Sequence, residues 1–303
     1  MIAHRIRALL RHPSLDIIRQ GCELVLSLQD PALFATLFGG CGITEADQPQ
    51  PGPGIMQWVH QRHRRWVTLW ALEQEGRLSQ LEGLDLTGAS AAQKAEVFPK
   101  LSSLRRLKMS WSADQQFAGI PASVQSLHVC LSGRPMVFGT LGPDWHQLAA
   151  IRDLQALTID ASHNKVRLDD LSFAHELNHL TALTLIFCRL HSATLSLSHP
   201  TLTALNLDKS DLPSDVTLQM PHLTALTLTD VNLDTARIEA AKLQILTIRR
   251  CMQLCTLTLT GCRHLCDLTL KALPRLERLT LPDYCASRFR FDADVKVTIA
   301  EEP

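Results

Sequence analysis

No charge of either sign prevails in this 303-residue sequence: 30 lysines and arginines face 30 aspartates and glutamates, and the isoelectric point is near 7.2. A protein dedicated to polyanions or to an acidic membrane surface carries a basic excess, and none is present. No run approaches the roughly 18 apolar residues of a membrane-spanning helix. The opening MIAHRIRALL carries charge but no apolar core of the length a secretory signal needs. Walker-type phosphate loops, G-x-G-x-x-G fingerprints and G-x-S-x-G nucleophile turns are all missing, so the common nucleotide-binding and serine-hydrolase signatures are excluded. The nine cysteines, an odd number without a signal sequence, fit a reducing compartment better than a disulfide framework, and a soluble cytoplasmic protein is expected.

What the sequence does contain is repetition. LTALNL (202–207), LTALTL (223–228), LQILTI (243–248) and LCDLTL (265–270) share one six-residue frame, apolar at positions 0, +3 and +5, that returns every 20 to 22 residues. Such a period marks an architecture in which each unit packs only on its neighbours. Earlier copies are LEGLDL (81–86), LRRLKM (104–109), VQSLHV (124–129), LQALTI (154–159) and LTALTL (180–185). The frame resembles that of leucine-rich-repeat proteins, here with irregular units of bacterial type. The resemblance implies an α/β fold: a leucine-rich-repeat solenoid over residues 77–303 with a parallel β-sheet on its concave face. It also implies protein–protein recognition on that face, with no catalysis and no cofactor. Asparagine, common at +8 in the family, is absent there; Ala89, Ser162, Cys188, Ser210, Val231 and Cys251 stand in its place.

Between the frames the sequence changes character. SAAQKAEVF (90–98) and LSFAHEL (171–177) read as helical, whereas ATLSLS (193–198), SDVTLQM (214–220) and ARIEA (236–240) alternate as half-buried strands do. LCTLTL (254–259) and LERLTL (276–281) are full copies of the frame. The convex face is therefore expected to carry helices first and then a second parallel sheet, closed by VKVTIA (295–300). The long gap over 130–153 holds Gly133, Pro135, Gly139, Gly142 and Pro143, and reads as an insertion at a binding edge.

Residues 1–76 read as an α-helical N-terminal cap. Leu15, Ile18, Cys22, Val25 and Leu26 form a stripe at helical spacing behind Ser14 as N-cap, and Asp30-Pro31 opens a further short helix; the pair resembles a HEAT-type unit. Residues 39–54, rich in Gly and Pro, read as a loose connector. One helix is expected over 55–76, with Trp58, Arg62, Trp66, Leu69 and Trp70 on one face and His63, Arg64 and Arg65 on the other. It suits a cover for the open apolar end of the first repeat. As an alternative, Trp58, Arg62, Arg64, Arg65 and Trp66 would offer a basic aromatic surface to nucleic acid or acidic lipid.

In each frame the +4 and +6 side chains face outward. The +4 column runs from Asp85, Lys108 and His128 into a threonine ladder, a preference of β-sheets. The +6 column, with Cys130, Asp160, Asp208, Arg249 and Lys271, varies more. The residues chosen as polar contacts for a protein partner are Arg106, Lys108, His128, Asp160, Asp208, Arg249 and Lys271. His175-Glu176-Leu177-Asn178-His179 matches H-E-x-x-H, which on a helix holds zinc with two histidines and a glutamate base. The alternative it raises is a zinc hydrolase, with His191 or His199 as the third ligand. Against it, His179 fills a recurrent polar position, shared by His222 and His264, just before the frame. Cys251, Cys255, Cys262 and Cys266 have metal-like spacing, but Cys188, Cys251 and Cys262 all fall at +8, and structural thiols are expected there. No bound metal is expected.

Overall fold

Each frame becomes a strand, and the frames align position for position. In the computed structural model, which describes residues 2–45, 48–111, 117, 119–131, 143–162, 167–168, 171–191, 194–197, 199–282 and 296–300, nine strands form one parallel sheet. Their order is Asp267–Lys271, Ile245–Arg249, Ala225–Thr229, Ala204–Asp208, Ala182–Ile186, Ala156–Asp160, Ser126–Leu131, Arg106–Trp111 and Gly83–Leu86. Leu205 lies beside Leu183 and Leu226, and Asn206 beside Thr184 and Thr227. The +3 and +5 leucines alternate with half-exposed neighbours and are buried, as are the leucines at position 0, except in the last frame, where Leu268 and Leu270 are half-buried. Each such side chain contributes about 1.5–3 kcal/mol.

The second parallel sheet is present. It joins Thr194–Ser196, Asp215–Gln219, Thr235–Glu239, Thr256–Thr260, Arg278–Pro282 and Lys296–Ala300 in chain order. Ala91–Val97 is helical, but the segment after Leu171 is a short 3-10 turn, Ser172–Glu176, rather than an α-helix. Of the long gap, 132–142 lie outside the described residues. Trp145–Ala150 forms a 3-10 helix whose Trp145 ring packs 5.6 Å from that of Phe117 and 5.7 Å from that of Phe173.

One backbone device recurs. The residue at +7, just past the strand, has positive φ at Phe187 (57°), Lys209 (50°), Asp230 (51°), Arg250 (54°) and Ala272 (56°), as does Gly88 (82°) in the first frame. This left-handed step turns the chain out of the strand, and for a residue with a Cβ it costs about 1–2 kcal/mol. At Cys188, Ser210 and Cys251 the +8 side chain is buried and bonds to backbone. The Cys188 thiol donates to the Ile159 and Ile186 carbonyls and that of Cys251 to the Leu228 and Arg249 carbonyls. The Ser210 hydroxyl donates to the Leu185 carbonyl and accepts from the Cys188 amide at 3.2 Å.

By backbone contacts the chain divides into two compact units: Met1–Asp85 with Ala95–Leu107, and Leu86–Lys94 with Lys108–Pro303. In the first, α1 (Ile2–Leu10) and α2 (Leu15–Ser27) pack as a pair and α3 (Pro31–Phe38) follows. The α2 stripe buries Ile18, Cys22 and Val25, whereas Leu26 is 40% exposed. Ser14 occupies the N-cap position without a side-chain bond; Asp30 caps α3 fully, accepting from the Ala32 and Leu33 amides at 3.0 Å. Within 39–54, Gly42–Ile43 pairs antiparallel with Pro49–Gln50. A Cβ at Gly52 would overlap the Gly39 carbonyl, and one at Gly54 would overlap those of Thr36 and Leu37, so the glycines permit close backbone packing.

The single helix expected over 55–76 is also broken. It is split into α4 (Pro53–Trp58), a 3-10 turn at Gln61–His63 and α5 (Arg64–Gln74). At the break the Arg64 guanidinium bonds to the Val59 and Met56 carbonyls, replacing the partners that a continuous helix would have supplied. Among the described residues no helix is long and apolar enough to cross a membrane.

Candidate functional site

The part of the nine-stranded sheet that lies in the larger unit presents its +4 and +6 side chains away from the buried leucines. Lys108, Arg249 and Lys271 are exposed there, and His128, Asp160 and Asp208 are half-buried. Arg106, in the smaller unit, is exposed in the strand Arg106–Trp111. At +4 the partners Thr184, Asn206, Thr227, Thr247 and Thr269 follow one another across five strands. The charged side chains therefore flank a neutral, uniform strip. Lys108, Arg249 and Lys271 enter no ion pair among the described residues.

His128 and Asp160 are brought together. The strands Ser126–Leu131 and Ala156–Asp160 pair with His128 opposite Thr158 and Cys130 opposite Asp160. His128 Nε2 lies 3.6 Å from Asp160 Oδ2. The other carboxylate oxygen, Oδ1, accepts from the Ser162 amide at 2.9 Å and from the Ser162 hydroxyl. Burial alone would push the Asp160 carboxyl up, but the Ser162 bonds and the neighbouring imidazole outweigh it and hold it below the usual carboxylate range.

The H-E-x-x-H segment lacks the helical face that zinc chemistry requires. The 3-10 turn ends at Glu176, before His179, and the Glu176 carboxylate pairs with His146 Nδ1 at 2.7 Å. His175 stacks on His199, with ring centroids 6.4 Å apart. His199 is a structural histidine, 1% exposed: Nδ1 accepts from the Thr201 and Leu202 amides, which places the proton on Nε2, facing the Leu177 carbonyl at 3.1 Å. Burial lowers its basicity. Cys251 and Cys262 are buried while Cys266 is exposed, and each of these thiols bonds to backbone carbonyls.

The aromatic residues of the smaller unit are engaged within it. Trp58 lies under the guanidinium groups of Arg7 and Arg11, at 4.3 and 4.6 Å, and Trp66 under that of Arg19 at 5.3 Å. Arg64 caps α4, Arg65 lies 3.7 Å from Asp85, and the Arg62 residue is exposed. A cleft of about 110 Å³ is lined by Ile18, Arg19, Cys22, Trp66 and Trp70 among others, with Arg19 bound to Glu96 at 2.6 Å.

Sequence reasoning missed the +7 column, where Lys209 lies 5.2 Å from the Phe187 ring and Arg250 forks onto Asp230 at 2.6 and 2.8 Å. Its residue types share nothing, so only the common backbone step reveals the column. The bonds from Arg250 hold the Asp230 carboxyl below its ordinary range. The chain matches no protein-family model and no curated protein.

Proposed function

We propose that the chain is a leucine-rich-repeat solenoid acting as a non-enzymatic protein-interaction module in the cytoplasm, and that it reads its partner on the outward, concave face of the nine-stranded sheet. The observation that carries this reading is the arrangement of that face. A neutral, largely threonine strip built on strand-to-strand hydrogen bonds is flanked by Lys108, Arg249 and Lys271, which enter no ion pair among the described residues. Such charges do nothing for the fold and are available to a partner, where they set specificity and association rate. A sheet already fixed by register loses little entropy on binding. The 20–22-residue frame, the parallel register and the backbone bonds of the +8 side chains Cys188, Ser210 and Cys251 support the leucine-rich-repeat reading.

The nucleic-acid or membrane reading through Trp58, Arg62, Arg64, Arg65 and Trp66 is less favoured, because contacts within the smaller unit already engage each tryptophan ring and two of the three arginines. The test is affinity capture from native lysate with the intact chain beside a Lys108→Glu, Asp208→Lys, Arg249→Glu variant. A protein retained by the first and lost by the second is expected. Equal recovery by both baits removes the site from this face.

A further inference from the structure

We propose that His128, Cys130 and Asp160 bind a single zinc ion on the outward face of the sheet, through the imidazole, the thiolate and the carboxylate, with one coordination position left to water. The fold brings the three together by register. His128 and Cys130 are two apart on one strand and so share a face, and Asp160 is the cross-strand partner of Cys130. One ligand atom from each lies within 4.8 Å of the other two. In a tetrahedral site with bonds of about 2.0–2.3 Å, ligand atoms sit roughly 3.3–3.8 Å apart. The His128 Nε2 to Asp160 Oδ2 separation of 3.6 Å already meets that spacing, and rotation about the Cys130 side chain closes the rest.

The surroundings fit a ligand set. Ser162 holds Asp160 Oδ1 from two sides, which fixes the carboxylate and leaves Oδ2 turned toward the imidazole. Outer contacts of this kind orient metal-binding carboxylates. The His128 and Asp160 side chains are 31% and 23% exposed while Cys130 is buried, so an ion reaches the set from the imidazole and carboxylate side. On the other side of Asp160 its register partner is Ile186, which offers no donor, and among the described residues the set numbers three. One nitrogen, one sulfur and one oxygen are too soft for magnesium or calcium and too poor in sulfur for copper(I), and they suit zinc. Binding takes the proton from the Cys130 thiol to solvent, and the thiolate electron pair forms the bond to the metal. The other strands do not repeat the set: the corresponding pairs are Thr184 with Ile186 and Thr227 with Thr229.

The test uses the full-length reduced chain, freed of metal by a chelator, with zinc titrated against a chromophoric competitor and cobalt(II) as the spectroscopic probe. One zinc per chain is expected, and the cobalt form should show thiolate-to-metal charge transfer. Cys130→Ser should remove that band, while Cys266→Ser, at an exposed thiol outside the set, should leave it. His128→Ala and Asp160→Asn should each weaken zinc binding at least about tenfold, and Ser162→Ala about tenfold with stoichiometry unchanged. Circular dichroism and urea midpoints of the metal-free variants establish that each is folded. Failure of the wild-type chain to take up zinc at stoichiometric concentration overturns the proposal. So does one bound zinc that survives Cys130→Ser with its cobalt band intact.

Discussion

Lys94→Met should stabilise the protein at neutral pH and lose that advantage as pH rises. Lys94 sits in the helix Ala91–Val97, 4% exposed, with its ammonium bonded to the Ser110 carbonyl. Burial pushes the group from its ordinary 10.5 down to about 8. That gap corresponds to about 3 kcal/mol held against the charged form. Because the folded value is the lower one, the unfolded chain binds more protons between about pH 8 and 10.5, and stability rises with pH across that window. Below about pH 8 the whole penalty is present. Methionine keeps the apolar stem and removes the charge, but it leaves the Ser110 carbonyl short of one bond, a loss of about 1 kcal/mol. The net gain should be about 2 kcal/mol near pH 7, turning into a loss of about 1 kcal/mol by pH 10.5. Urea denaturation of both chains over this range gives the difference directly, and ionisation of shared cysteines cancels from it. A difference that is flat with pH, or a variant less stable at pH 7, would refute the reasoning.

Other perturbations follow from the same structure. Ala272 is exposed at φ 56°, so Ala272→Gly should raise stability by about 0.5–1 kcal/mol in urea denaturation. Ser210→Ala, which strips the Cys188 amide of its acceptor in a fully buried site, should cost about 1–3 kcal/mol by the same measurement. Burial pushes the Cys22 and Cys188 thiols up to about 12, so folded stability should fall as pH climbs above the ordinary value of 9.0, where the unfolded thiols ionise first. Under native conditions a thiol reagent should modify Cys266 rapidly and Cys188, Cys251 and Cys262 only after unfolding; equal rates would contradict their placement.

The parts that could be read from sequence are those that repeat. The leucine frame located the strands, because an inward side chain in a parallel sheet must be apolar in every unit, and it also marked the +8 cysteines Cys188, Cys251 and Cys262, which are buried. The frame did not show the +7 step. Left-handed backbone is imposed there by the geometry of the turn, and Phe187, Lys209, Asp230 and Arg250 share no chemistry that would mark it. In the smaller unit a long amphipathic run suggested one helix, but the Arg64 guanidinium supplies an end for α4 that propensity cannot foresee. Gly39, Gly52 and Gly54 permit close backbone approaches that the Gly- and Pro-rich composition of 39–54 does not reveal. The metal motif visible in the sequence, around His175, lies on a turn too short to align its histidines. The constellation around His128 joins residues about thirty positions apart, and register alone brings them side by side.

The claim at the centre of this account is that the partner is read on the nine-stranded sheet. Photo-crosslinking amino acids at Thr227 and Thr247 on that face, and at Thr217 and Thr258 in the six-stranded sheet, test it most directly. A single partner adduct formed from Thr227 and Thr247 and absent from Thr217 and Thr258 is the predicted result. Adducts formed from the six-stranded sheet, with none from Thr227 or Thr247, would contradict it.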